Sequence, residues 1–365
     1  MCRLALAKNR PKSKSCFLLT SFSRPGKGQE LFGWAHGKKP GTKQDRIATS
    51  PGFALAHGRD KAFRMFFKDQ GPEHGPGGRF MKQTVATLQK KKRDGEKIAM
   101  ITAYDYTMAR LCNEAGVDML LVGDSLGMVM LGYEDTVSVT MEDMIHHSRA
   151  VARGSASALV VTGMPFMSYR TGREEALRNA GRLLAEGRAQ AVKLEGGAEL
   201  GGLVKELVRC GIPVVGHLGL TPQSVNTLGG YRVQAREEAS ALRLLEDARA
   251  LEAAGVFALV LECVPSPLAA LVTQSVSCIT IGIGAGPHCD GQVLVGQDLL
   301  AMYSNLCPRF VRHFAEAGTV IRDGVAKYCA CVRDGSFPGT EHSFAMDAEV
   351  LLRLRQRLGL GEPRP

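Results

Sequence analysis

Val256-Phe-Ala-Leu-Val-Leu-Glu262 is six apolar residues closed by a carboxylate. A run without polar alternation suits a strand covered on both faces, as in a parallel sheet. The acid then marks the point where the strand leaves the core. The same shape recurs in Met119-Leu-Leu-Val-Gly-Asp124, in Ala191-Val-Lys-Leu-Glu195 and in Pro213-Val-Val-Gly-His217.

Working outward from Val256, eight short apolar runs follow one another: Ile98–Ala103, Met119–Gly123, Ala158–Thr162, Ala191–Leu194, Pro213–Gly216, Ala258–Leu261, Ile279–Ile283 and Gln292–Val295. Helical patterns lie between most of them. Thr171–Glu186 stops at Gly187, Glu237–Ala254 at Gly255 and Glu142–Arg153 at Gly154, the usual C-terminal punctuation. Met81–Lys92 reads as a lysine-rich helix leading into the first strand. The expected fold is α/β, a (β/α)₈ barrel, with a doubly wound sheet as the alternative. The eighth run follows the seventh too closely for a crossover helix, which weakens the count there. Arg309–Leu360 supplies further C-terminal helix.

The chain of 365 residues is 45% hydrophobic and 22% charged, the balance of a globular protein. No apolar run approaches the ~18 residues of a membrane span. The net charge of +10 is confined to one end: residues 1–80 hold 16 Lys and Arg against 5 Asp and Glu, whereas the remaining 285 residues hold 30 against 31. The body of the chain therefore gives no electrostatic reason to expect nucleic acid or a membrane as partner. Residues 1–80 lack periodicity and are read as a basic, low-order extension outside the fold, with 81–365 as the barrel domain. A transit peptide or a nucleic-acid-binding arm are the other readings of the extension. Ten cysteines without a CxxC pair suggest no disulfide framework or zinc site. Cys112, Cys210 and Cys278 read as small core residues in a reducing cytoplasm.

In a parallel barrel the C-terminal strand ends meet at one mouth. Asp124 and Ser125, Lys193 and Glu195, His217, and Glu262 all fall at such ends. Asp124 and Glu195 can hold a hard divalent cation, and Mg²⁺ keeps waters at its other positions. Glu262 is then free as a base, with Lys193 and His217 to stabilise developing negative charge. Each has a plainer reading: Asp124 as a helix N-cap, Lys193 and Glu195 as an ion pair, His217 as a hydrogen-bonded core residue. Gly282-Ile-Gly-Ala-Gly286 reads as a tight turn, since residue 287 is proline and the dinucleotide pattern fails. His146-His147 reads as structural, and His342 stays open.

The motifs Thr102-Ala-Tyr-Asp-Tyr106, Val122-Gly-Asp-Ser-Leu-Gly127, Val192-Lys-Leu-Glu-Gly-Gly197, Gly216-His-Leu-Gly-Leu-Thr-Pro-Gln-Ser-Val225, Leu261-Glu-Cys-Val-Pro265 and Pro338-Gly-Thr-Glu-His-Ser-Phe344, in this order, resemble the ketopantoate hydroxymethyltransferase family. The resemblance runs from about Met81 to Phe344. It implies a (β/α)₈ barrel of the phosphoenolpyruvate/pyruvate superfamily, assembled as a homodecamer. It implies hydroxymethyl transfer from 5,10-methylenetetrahydrofolate to the keto acid 3-methyl-2-oxobutanoate, with Mg²⁺, in pantothenate synthesis. By the same resemblance Asp124 and Glu195 match metal ligands; Asp124, Ser125 and Lys193 match substrate-binding positions; Glu262 matches the general base; and His217 is a possible supporting group. One position departs. The family's further aspartate ligand falls in Thr162-Gly-Met-Pro-Phe166, where this chain has Gly163. Gly163 makes a catalytically impaired subunit one alternative expectation; another keto-acid C–C lyase of the superfamily is the other.

Overall fold

The computed structural model of the chain describes residues 81–230, 232–302 and 308–361. The extension 1–80 lies outside the described residues. Eight strands, β1 (Ile98–Thr102), β2 (Met119–Val122), β3 (Leu159–Gly163), β4 (Ala191–Glu195), β5 (Val214–Gly219), β6 (Ala258–Glu262), β7 (Ile279–Ile283) and β8 (Gly291–Leu294), pair in sequence order, all parallel, and β8 returns to β1. The closed ring settles the choice between barrel and open sheet.

Alternation along each strand sorts its side chains into two cores. In β4, Ala191 joins the barrel interior with Met119, Leu121, Val161, Val215 and Ile281, whereas Val192 and Leu194 join the outer core under the helices. In β6, Ala258 and Val260 face inward, Leu259 and Leu261 outward. Period two therefore points Lys193, Glu195 and Glu262 into the interior at its C-terminal end.

The bottom of the barrel is closed by the helix Val85–Asp94. Thr84 caps it by accepting from Thr87 N, and Gly95 ends it at φ 74°. Leu88 on its inner side is sealed in the barrel core. Lys91 reaches Asp118 at 2.8 Å and Lys92 reaches Asp290 at 2.8 Å, so the helix is tied to strands on both sides. The helix read as Met81–Lys92 thus exists within the fold, but it starts at Val85, after the Thr84 cap, and runs to Asp94.

β7 and β8 are joined without a helix. The register explains how: Gly291 lies opposite Ile281, so the chain leaving Ile283 needs to return only two residues along the strand, about 7 Å. Gly284 and Gly286 make the turn at φ 64° and 79°, and a Cβ on Gly286 would sit 2.0 Å from Ser266 Oγ. After β8 the chain forms the helices Ala317–Asp334 and Ala348–Leu358, neither with a buried residue.

The cysteine reading needs one correction. The seven described cysteines are free, and Cys112 and Cys278 are buried, but Cys210 is exposed. It stands at the C-cap of Gly201–Arg209, where the helix ends at the surface.

Candidate active site

The loop after β2, the ends of β4 and β5, and the last residue of β6 bring five ionisable side chains together. Glu195 is opposite His217 in the β4–β5 register, and Gly219 is opposite Glu262 in the β5–β6 register. Asp124, Lys193, Glu195 and His217 are each at most 5% exposed, and the Glu262 side chain is 16% exposed. Charges are rarely buried this deeply unless paired, and a buried pair is weak evidence of stabilisation.

Lys193 Nζ, His217 Nδ1 and Glu195 Oε1 form a triangle with sides of 3.0, 3.1 and 3.1 Å. Burial opposes the charge on Lys193, but Glu195 and Asp124 outweigh it and hold the ammonium above its ordinary value. Burial likewise opposes ionisation of Glu195, and Lys193 and His217 reverse it, keeping that carboxyl ionised. His217 is also shifted up: burial and Lys193 work against its charge, and Glu195 and Glu262 prevail. His217 Nε2 lies 3.2 Å from Glu262 Oε2, yet off the line of a good hydrogen bond, so this buried nitrogen has no aligned partner. We count the approach as electrostatic.

Gln223 links the two carboxylates of β2 and β4. Its Nε2 donates to Asp124 Oδ2 at 2.7 Å and to the Met164 carbonyl at 2.9 Å, while its backbone N–H donates to Glu195 Oε2 at 3.1 Å. Tyr169 donates its phenol proton to Gln223 Oε1 at 2.7 Å. Arg170 Nη2 donates to the Glu195 carbonyl at 2.8 Å. Pro222 sets the short turn that carries Gln223 over the mouth. Gln223, Tyr169, Arg170 and Tyr104, whose hydroxyl is 2.8 Å from Ser125 Oγ, were not legible as site residues. Gln223 and Tyr104 lie within quoted motifs, which was the available signal, but their partners are distant in sequence.

The plainer readings divide. Asp124 is no N-cap: Ser125 occupies that position of Leu126–Val129, without a capping hydrogen bond. Lys193 and Glu195 are an ion pair and part of the site at once. His147 is structural, its Nδ1 donating to the Tyr104 carbonyl at 2.7 Å. His342 is 47% exposed and its Nδ1 accepts from Gly339 N, within its own turn.

Asp124 is the strained member. Burial, then repulsion from Glu195, push its carboxyl from 3.8 up to about 6, against the pull of Lys193, Gln223 and His217. Two buried carboxylates facing one cation are a donor set that a hard dication would relieve. The set stops at two, since among the described residues no three His, Cys, Asp or Glu converge for a metal. Gly163 is why. It is buried at the end of β3, paired with Lys193, and a Cβ there would meet Lys193 Cε at 3.8 Å and Asp124 N at 3.9 Å, with no positive φ. The donors fit an ion that keeps several waters, and a Cβ at position 163 would be uncrowded.

The family model described as ketopantoate hydroxymethyltransferase matches residues 82–340. The 3-methyl-2-oxobutanoate hydroxymethyltransferase of Clostridium novyi (strain NT) is 57% identical over 274 residues, 75% of this chain and 100% of that protein. The protein of that description from Carboxydothermus hydrogenoformans is 56% identical over 271 residues, 74% of this chain and 98% of its own. Among solved structures, a phosphoenolpyruvate phosphomutase from Streptomyces platensis subsp. rosaceus aligns with a TM-score of 0.49 at 15% identity, covering 76% of this chain and 96% of that one.

Asp124 yields a prediction for the metal-free protein. A carboxyl whose pKa is raised by folding binds more protons folded than unfolded between about 4 and 6, so through this group stability falls as pH rises across that window. In chelator, Asp124→Asn should therefore be the more stable protein at pH 7, by about 1–3 kcal/mol. That advantage should shrink as the pH is lowered from 6 toward 4. Urea unfolding at several pH values measures it, and a pH-independent difference would contradict the raised carboxyl.

Proposed function

The chain belongs to the ketopantoate hydroxymethyltransferase family, and from that membership we propose that it transfers a hydroxymethyl group from 5,10-methylenetetrahydrofolate to 3-methyl-2-oxobutanoate, giving ketopantoate for pantothenate synthesis. The observation that carries this reading is the inward-facing layer of Asp124, Lys193, Glu195, His217 and Glu262 at one barrel mouth. Asp124 and Glu195 would hold Mg²⁺, and Asp124, Ser125 and Lys193 would contact the keto acid. The bound ion would supply Lewis acidity at the ketone and carboxylate oxygens of the substrate.

The residues divide the remaining work. Glu262, less buried than its neighbours and not engaged by Lys193, takes the proton from the tertiary carbon beside the ketone. The Lys193 ammonium, kept charged by Glu195 and Asp124, lies where negative charge grows on the enolate oxygen. His217 sits between Glu195 and Glu262 and positions the carboxylate of the base. Water adds to the folate-borne methylene, tetrahydrofolate leaves with its nitrogen protonated, and the enolate carbon bonds to the resulting formaldehyde carbon while its oxygen takes up a proton as the new hydroxyl. Formation of ketopantoate by the purified chain, dependent on both Mg²⁺ and the folate, tests the assignment. No product with both present would refute it.

Homo-oligomerisation is part of the reading. Val320, Ile321, Val325, Tyr328, Leu352 and Leu358 on the two C-terminal helices are 52% exposed or more, an apolar surface that further copies of the chain would cover. Free thiols on all the described cysteines support a reducing, cytoplasmic setting. No described helix is long and apolar enough to cross a membrane, and neither nucleic acid nor a membrane is proposed as partner.

Gly163 favours a second reading, a catalytically impaired subunit. Three measurements separate the possibilities. Glu262→Gln should retain fold and keto-acid binding and lose turnover by about 10²–10⁴; near-normal turnover would remove Glu262 as the base. At Gly163 an added Cβ makes only ordinary van der Waals contacts, and Gly163→Asp adds a negative charge beside the cation. The natural chain should therefore need more Mg²⁺ than the variant for half-maximal deuterium exchange of the keto acid. Equal requirements in two folded proteins would leave the impaired-subunit reading without support. A chain beginning at Met81 should be oligomeric and as active as the full chain, because the barrel plug starts at Thr84; a monomeric or insoluble product would place residues 1–80 within the fold.

A further inference from the structure

Tyr104 follows β1 and is completely buried, while Ser125, whose Oγ is 2.8 Å from its hydroxyl, is partly exposed at the mouth beside Asp124. The tyrosine is held from several sides. His147 Nδ1 donates to its backbone carbonyl at 2.7 Å. Thr102, whose hydroxyl also bears on the phenol, already accepts the Gly296 N–H at 2.8 Å. A phenol is a good donor and a poor acceptor, and burial raises this one to about 12, so it keeps its proton at neutral pH. Ser125 Oγ, at 2.8 Å, is in good hydrogen-bond range of the phenol, and donation to it gives the buried phenol proton an acceptor.

We propose that Tyr104 is a positioning residue for keto-acid binding, donating to Ser125 Oγ so that the Ser125 proton turns away from the core and toward an oxygen of the bound keto acid. A hydroxyl that accepts one hydrogen bond becomes a better donor in the next, so the phenol both orients and strengthens the serine. The proposal rests on the reading of Ser125 as a substrate contact. Tyr104 touches no substrate itself, which separates its role from that of Lys193 or Glu262. In sequence Tyr104 is marked only by its place in the motif Thr102-Ala-Tyr-Asp-Tyr106, which does not show that its partner is Ser125.

The test is a double-mutant cycle on the full chain with saturating Mg²⁺, reading the Kd of 3-methyl-2-oxobutanoate by calorimetry. Ser125→Ala should weaken binding; if it does not, the reading of Ser125 fails, whatever Tyr104 does. Tyr104→Phe should weaken binding about three- to tenfold, the worth of one neutral hydrogen bond, and should have no further effect in the Ser125→Ala background. Equal loss from Tyr104→Phe in both backgrounds, or no loss while Ser125→Ala is impaired, overturns the proposal. A second replacement reads the direction of the bond and does not depend on Tyr104→Phe folding. 3-Fluorotyrosine at position 104 keeps the hydroxyl but makes it more acidic, hence a stronger donor and weaker acceptor. Tighter keto-acid binding supports donation from Tyr104 to Ser125, and weaker or unchanged binding overturns it.

Discussion

The ion pair of Lys193 and Glu195, two residues apart on one strand and 3.0 Å from each other inside a closed barrel, is the contact around which the mouth is organised. Neither charge is tolerable there alone: removing one partner of a buried pair typically costs about 3–5 kcal/mol, because the other is left stranded. The pair sets the electrostatics of its neighbours. It fixes one oxygen of Glu195 and brings His217 against that oxygen; at Asp124, where burial first and then Glu195 raise the carboxyl, Lys193 pulls it back. Such groupings are poor stabilisers and good sites, which agrees with family membership.

The barrel exists to hold that pair still. Its interior is apolar from Leu88 at the bottom to Val161 and Val260 below the mouth, and charge begins one layer higher. The plug helix, tied through Lys91 and Lys92, closes the end away from the chemistry. Glycines are placed where backbones must approach. A Cβ on Gly219, at φ 93°, would come within 2.2 Å of the Glu262 carbonyl, so the backbone beside the proposed base is set by that glycine. A Cβ on Gly296 would come within 2.6 Å of the Thr102 carbonyl, where the end of β8 meets β1.

Gly163 is a glycine of another kind. It has ordinary backbone geometry and no crowding, so nothing in the packing demands it. Its effect is chemical: it leaves two carboxylates where the family resemblance implies three, and one fewer negative charge to balance Lys193 and a dication. Gln223 partly fills the role of organiser, holding an oxygen of each remaining carboxylate.

Much of this protein was determined by its sequence alone. The eight apolar runs, the helix before the first strand and the polar residues at strand ends follow from period-two burial and end signals, which are local properties. Asp124, Lys193, Glu195, His217 and Glu262 could be picked out because charge at the edge of an apolar run is conspicuous. Tertiary structure decided the rest. Whether eight strands close or stay open depends on the β8–β1 pairing, between residues nearly 200 positions apart. The short β7–β8 link became acceptable only through its register. Gln223 joins Asp124 across 99 positions, and Tyr104 meets Ser125 through the side-by-side placement of β1 and β2. A polar side chain declares its type in the sequence, but its hydrogen-bond partner is a matter of geometry, and geometry appears only once the strands are in register.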